Sequence, residues 1–85
     1  PEIGEKTVEK EFKLEHGDIF VLYTDGLIEA ANKNNELYDM KRLMTKVQEV
    51  GDQNVKEIEE AIVKDVFDFM YEQKDDITII VVRKK

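Results

Sequence analysis

Cysteine is absent from this chain of 85 residues, and histidine occurs only once. Without thiols the chain can form neither a disulfide framework nor a thiolate metal site, which suits a reducing compartment. No apolar run approaches the roughly 20 residues of a membrane-spanning helix. The first residues also lack the basic-then-apolar pattern of a secretory signal. We therefore expect a cytoplasmic protein with no membrane span in this piece.

Positive charge is also scarce. The chain has 13 lysine and arginine residues against 20 aspartate and glutamate residues, a net charge of −7. Its only basic cluster is at residues 83–85. Because nucleic acids are held mainly by basic surfaces, we expect no nucleic-acid partner. Hydrophobic residues make up 41% of the chain and fall in distinct blocks, which predicts a folded core and not a disordered acidic tail.

Three segments have the residue pattern of β-strands. Residues 7–14 alternate in polarity, which indicates a half-solvated strand, and residues 19–24 are apolar on both faces, which indicates a buried central strand. The turn signal His16-Gly17-Asp18 predicts a hairpin between them. We interpret His16 as a surface residue of this turn and not as a catalytic base. The β-branched residues 77–82 predict a third, buried strand.

Two amphipathic helices are predicted between the second and third strands. A polar loop at residues 32–36, with one helical turn before it, leads to the first helix, which begins near the candidate N-cap Asp39 and ends at Gly51. The second helix begins after Asn54, which resembles a capping box with Glu57. Its apolar stripe consists of Val55, Ile58, Ile62, Val66, Phe69 and Met70.

These elements predict an α+β fold in the order β-β-α-α-β. We expect a three-stranded, mainly antiparallel sheet with both helices on one face. The other face of the second and third strands is apolar too, and two helices are not enough to cover it. We expect further chain or a second copy of the chain to cover this face. A second copy could form a homodimer through a sheet edge or a swapped strand.

Acidic residues stand at the ends of the two most apolar strands. Asp25 follows the second strand, and Asp75 precedes the third. If these strands are antiparallel neighbours, the two carboxylates lie close together, where they would repel by about 4 kcal/mol at a separation of about 4 Å. A hard divalent cation removes that repulsion. The alternative is that each acid belongs to an ordinary turn or solvated loop.

The sequence resembles a known family, the metal-dependent protein phosphatases (PPM), and in particular the bacterial serine phosphatases of the SpoIIE/RsbU kind. The resemblance covers nearly the whole chain. Its motifs are Gly17-Asp18 followed by IFVLYTDGLIE, then Glu36-Leu-Tyr38, and finally Asp75-Asp-Ile-Thr78. It implies that residues 1–85 form the C-terminal portion of a phosphatase domain and are a fragment of a larger α-β-β-α sandwich.

The resemblance also implies a site with two Mn²⁺ or Mg²⁺ ions, in which a metal-bound water attacks the phosphorus of phosphoserine or phosphothreonine. By motif match Asp25 and Asp75 are metal ligands, and Asp76 is a less favoured one. Gly26 gives backbone room, and Thr78 bonds to nearby backbone. The implied partner is a phosphorylated regulatory protein of the anti-anti-sigma type, in sigma-factor signalling.

One departure from the family pattern affects the expected activity. The ligand that bridges the two metals belongs to an upstream motif, and residues 1–16 contain no aspartate. We therefore expect this chain alone to be catalytically inactive and to bind Mn²⁺ weakly. Two alternatives stay open: an interaction or assembly module that retains the phosphatase scaffold, and an unrelated α+β protein in which both aspartates merely end strands.

Overall fold

The computed structural model describes residues 7–14, 17–72 and 77–84. These residues contain three strands and three helices, the first helix being a single turn. Their bounds are β1 (Thr7–Phe12), β2 (Ile19–Thr24), α1 (Asp25–Ile28), α2 (Asp39–Val50), α3 (Val55–Phe69) and β3 (Ile79–Arg83). The predicted α+β fold is therefore confirmed, and α1 is the short helical turn expected before the polar loop.

The three described strands form one antiparallel sheet in the order β1-β2-β3, with β2 in the centre as predicted. Two strands are shorter at one end than the sequence suggests. β1 ends at Phe12 because the turn begins at Leu14, whose carbonyl accepts from the Gly17 amide. β3 begins at Ile79 because the amide of Thr78 donates to a side chain and not to the backbone ladder.

The core lies between the inner face of this sheet and the helices. Strand alternation sends every second side chain inward, and the helices contribute residues at spacings of 3 and 4. The innermost side chains are those of Ile19, Val21, Tyr23, Leu27, Tyr38, Leu43, Val47, Ile58, Ile62 and Val66. Of the predicted stripe on α3, the side chains at both ends are only partly buried, because the helix extends past the sheet there.

The N-termini of the two long helices differ in how they are capped. At α3 the predicted capping box is present, since the Asn54 side chain accepts from the Glu57 amide at 2.8 Å and the Glu57 carboxylate accepts from the Asn54 amide. At α2 the predicted cap is wrong. Asp39 is the first helical residue, with a positive φ of 67°, and its carboxylate accepts from the next amide, that of Met40. Aspartate tolerates this backbone region better than most residues.

The outer face of β2 and β3 is apolar and open among the described residues, whereas β1 places Glu9 and Glu11 on this face. Ile80 and Val82 are about half exposed, at 51% and 48%. Phe20 and Leu22 of the neighbouring strand face the same side. Both long helices pack on the inner face, as predicted. In the part of the chain that the structure describes, no helix has the length and apolar content that crossing a bilayer requires.

Replacing Gly51 by alanine is expected to lower the free energy of unfolding by about 1–3 kcal/mol. Gly51 has ordinary helical dihedral angles, so the reason is space and not backbone strain. An added Cβ would lie 2.7 Å from a methyl carbon of Leu14 and 2.8 Å from the Val47 carbonyl oxygen. Urea unfolding measures the change. The exposed neighbour Gln53, changed to alanine, is the control, and equal stability of both variants would contradict the close packing.

Candidate metal centre

The end of β2 and the start of β3 meet at one rim of the sheet. The Thr24 amide donates to the Thr78 carbonyl at 3.1 Å, and the Thr78 amide donates to the Thr24 hydroxyl, also at 3.1 Å. The last ladder pair before them is Tyr23 with Ile79. The strands are therefore antiparallel neighbours, as the sequence required for the two acidic motifs to approach each other.

Asp25 is the first residue after β2 and is half-buried at this rim. Its carbonyl accepts from the Glu29 amide at 3.0 Å, which holds the single turn of α1. Among the described residues, its carboxylate has no hydrogen-bond or ion-pair partner. A partly buried carboxylate without a partner is suited to accept a cation. Asp25 is thus placed where the metal hypothesis needs it.

The other predicted ligands, Asp75 and Asp76, lie outside the described residues, as does His16. The described residue nearest to them on that side is Ile77, which is half-buried and directly precedes Thr78. Because Thr78 is bonded to Thr24, Ile77 lies at the same end of the sheet as Asp25. The pairing of Asp25 with Asp75 remains a prediction.

The negative charge at the rim influences a neighbouring tyrosine. Tyr23 is buried, and the pKa of its phenol is raised above the usual value, first by burial and second by the negative charge of Asp25. Tyr23 therefore stays protonated and neutral at physiological pH. It neither competes with Asp25 for a cation nor adds a second negative charge to the site.

Asp25 supplies one ligand and not a complete site. Within residues 7–14, 17–72 and 77–84, no three His, Cys, Asp or Glu side chains lie together as a metal-binding group. Mg²⁺ requires near-octahedral coordination by oxygen, usually with several waters and only one or two carboxylates. The chemistry of Asp25 fits such an ion, with water or further carboxylates completing the shell.

Two features of the site were missed by the sequence reasoning. The sequence predicts that Thr78 bonds to nearby backbone. In the structure its amide and its carbonyl both bond to Thr24, a residue that the sequence analysis did not identify. The alternation of β2 could have indicated that the Thr24 side chain faces away from the core. Gly26, expected to leave backbone room, is buried and lines a cleft of about 350 Å³. That cleft was not foreseen either.

Changing Thr24 to valine is expected to cost about 1–2 kcal/mol of stability, because it removes the acceptor for the Thr78 amide at a position only 9% exposed. Serine retains the hydroxyl at this position and is the matched control. Thermal unfolding of both variants gives the comparison. If the serine variant were as unstable as the valine variant, the hydroxyl would not be what joins the two strand ends.

The fold and this rim define a class: a small α+β unit with an acidic residue at the end of its central strand. A family model described as Stage II sporulation protein E (SpoIIE) matches residues 3–85, and the chain belongs to this family. The match covers nearly the whole sequence and confirms the resemblance drawn from its motifs. Comparison with curated proteins and with solved structures gave no significant match.

Proposed function

We propose that this chain forms part of a metal-dependent protein serine/threonine phosphatase of the SpoIIE type. In that protein it would hold one side of a site for Mn²⁺ or Mg²⁺, with Asp25 as a ligand and Asp75 as the second acidic ligand. Asp76 is the less favoured ligand. The substrate class is a phosphoserine- or phosphothreonine-bearing regulatory protein, and we favour a regulator of the anti-anti-sigma type.

One observation carries the proposal: the antiparallel register of β2 and β3. It brings Asp25, directly after Thr24, and Ile77, directly before Thr78, to the same rim of the sheet. The second acidic motif directly precedes Ile77 in the sequence, which supports Asp75 as the partner of Asp25. Had β3 been parallel to β2, or had β1 separated the two strands, the acidic motifs would belong to different parts of the surface.

The chain's own residues would hold and position the reacting groups. The Asp25 carboxylate, which has no partner among the described residues, would bind a cation, and the turn of α1 would fix its backbone. The two bonds between Thr24 and Thr78 would keep the rim from opening. Bound Mn²⁺ or Mg²⁺ would supply a water activated for attack on phosphorus.

Paramagnetic broadening by Mn²⁺ tests the metal site directly and detects weak binding. In the ¹⁵N-labelled chain, Mn²⁺ is expected to broaden first the amide signals of residues 23–27 and 77–79. The variant Asp25→Asn is expected to weaken this local broadening by about tenfold or more, because a charged ligand is lost. Asp52→Asn is the control, since Asp52 is an exposed acid in the loop after α2, at the opposite end of the sheet.

Broadening spread evenly over the acidic helices would contradict the proposed site. So would a pattern that Asp25→Asn leaves unchanged. Hydrolysis of p-nitrophenyl phosphate by this chain alone would contradict the expectation that its metal shell is incomplete, and in that case Asp25→Asn would have to abolish the activity for the metal assignment to hold.

A further inference from the structure

A cleft of about 350 Å³ opens beside the proposed metal ligand. One wall is the segment from α1 into the following loop, and the other consists of the residues that directly follow α3 together with Ile77, two residues before β3. The residues that matter for its chemistry are Gly26, Glu29, Lys33, Tyr71, Glu72 and Ile77. Gly26 directly follows Asp25, so a ligand in this cleft would lie next to the metal centre.

The first wall is rigid, because a single asparagine organises its loop. The Asn32 carboxamide oxygen accepts from the amides of Asn34 and Glu36, both at 2.9 Å, and its NH₂ group donates to the Glu36 carboxylate. Backbone bonds between residues 32 and 36 and the bridge from Ala31 to Leu37 close the loop into a small hairpin. A rigid wall loses little conformational freedom when a ligand binds.

The two walls are joined where they meet. The Tyr71 amide, just after α3, donates to the Ala31 carbonyl at 2.9 Å. This bond fixes the backbone of Tyr71, yet leaves its side chain 65% exposed at the edge of the cleft. Exposed tyrosine on a fixed backbone is a frequent anchor in binding surfaces, because it offers a large contact area at a low entropy cost.

The charges of the cleft favour a cationic ligand group. Glu29 and Glu72 are both exposed on it, one on each wall. Lys33 is the cation among its described lining residues, and its ammonium group lies 5.8 Å from the centre of the Tyr71 ring. The rest of the lining combines the apolar side chains of Ala30, Met70 and Ile77 with the polar residues Asn32 and Asn35. Such a cleft suits an extended peptide with an apolar side chain and a lysine or arginine.

We propose that this cleft binds the peptide segment flanking the phosphorylated residue of the substrate protein, with Tyr71 packing on the segment and with Glu29 and Glu72 selecting a basic side chain in it. The inference deepens the proposed function and rests on it, because the cleft gains this role from its position beside Asp25. The metal would hold the phosphate end, and the cleft would recognise the neighbouring residues. Substrate choice would thus be separate from the metal chemistry.

Short synthetic peptides test the proposal by NMR titration of the ¹⁵N-labelled chain, with no metal added. The probe is a serine peptide that carries one leucine and two arginines. The comparison peptide has glutamates in place of the arginines. The arginine peptide is expected to shift the amide signals of Gly26, Ala30 and Tyr71, and to bind about three- to fivefold more tightly than the glutamate peptide.

Variants then assign the binding to individual side chains. Tyr71→Ala and the charge reversal Glu72→Lys are each expected to weaken binding of the arginine peptide by about threefold or more. Glu60→Lys makes the same charge change at an exposed position on α3 outside the cleft, and it is expected to leave the affinity unchanged. Tyr71 and Glu72 are exposed, so their replacement is not expected to disturb the core. Amide signals from the rest of the chain report whether each variant is folded.

Equal affinity for the two peptides, shifts outside the cleft, or an equal effect of Glu60→Lys and Glu72→Lys would overturn this inference. Its failure can be told apart from failure of the proposed function because no metal is present in the titration. Specific Mn²⁺ binding at Asp25 without peptide selectivity would remove the cleft's role alone. Selective peptide binding without a Mn²⁺ site would instead remove the phosphatase assignment and leave a peptide-binding module.

Discussion

Replacement of Arg83 by methionine is expected to lower the free energy of unfolding by about 3 kcal/mol. Its guanidinium donates to the carbonyl of Gly17 at 3.0 Å, and to those of Gly51 and Gln53 at 3.1 and 2.8 Å. These acceptors belong to the β1–β2 hairpin and to the connection between α2 and α3. A chain of this size has a total stability of about 4–13 kcal/mol, so the loss is a large part of it.

The size of this effect follows from what Arg83 joins. A hydrogen bond from a charged donor contributes about 1.5–3 kcal/mol when it is buried, and these three are part-buried or exposed, so about 1 kcal/mol each is expected. Removing the guanidinium leaves their carbonyls to be hydrated by water. Lysine at this position has the charge but lacks the planar fork, so Arg83→Lys is expected to recover only part of the loss. Urea unfolding of the unchanged protein, Arg83→Lys and Arg83→Met is expected to give free energies of unfolding that decrease in this order.

Lys84→Met provides the control for the change in net charge. The Lys84 side chain is 55% exposed, and its ammonium lies 3.8 Å from the Glu11 carboxylate, a long surface ion pair whose loss is expected to cost under about 1 kcal/mol. If Arg83→Met and Lys84→Met destabilised the protein equally, the contacts of Arg83 with the three carbonyls would not matter for stability.

The fold was largely predictable because its signals are local. The apolar run at residues 19–24 by itself predicts a buried strand. The capping box of Asn54 and Glu57 involves residues only three positions apart. Arg83 shows where local reasoning ends. From the sequence it belongs to a basic cluster at the end of the chain, yet its side chain joins residues that precede it by more than thirty positions. No periodicity contains that information.

The candidate site was predictable in part for the same reason. Asp25 stands out because an acidic residue ends an apolar strand, but the antiparallel pairing of β2 with β3 could only be assumed, because α1, α2 and α3 lie between the two strands in the chain. The cleft does not stand out, because Gly26, Glu29, Tyr71 and Ile77 come from segments that meet only after α2 and α3 have packed on the sheet. Taken singly in the sequence, Glu29 and Tyr71 resemble ordinary surface residues.

Alkaline pH is expected to destabilise the protein steeply, because two of its tyrosines are held neutral by the fold. Tyr38 is fully buried, and its phenol donates to the Asp65 carboxylate at 2.6 Å. Burial, and then the bond and charge of Asp65, raise the pKa of Tyr38 far above its usual value. The pKa of Tyr23 is raised too, by burial and by Asp25.

The sign of the effect follows from these shifts. Below the ordinary tyrosine pKa of about 10, the phenols are neutral in both states, and the full stability is present. Above it, the unfolded chain loses protons that the folded chain retains, so stability falls as pH rises. A tyrosine contributes a slope of about 1.4 kcal/mol per pH unit between its unfolded-state pKa and its folded-state pKa, so Tyr38, with the larger shift, contributes over the wider pH range.

Urea unfolding between pH 9 and pH 11.5 measures this slope. Tyr38→Phe is expected to reduce it by about 1.4 kcal/mol per pH unit, although the variant also loses its bond to Asp65 and starts from a lower stability at neutral pH. Tyr23→Phe is expected to reduce the slope only below the raised pKa of Tyr23, and the double variant is expected to remove most of the tyrosine contribution. A slope that Tyr38→Phe leaves unchanged would mean that Tyr38 ionises equally in both states, contrary to its burial against Asp65.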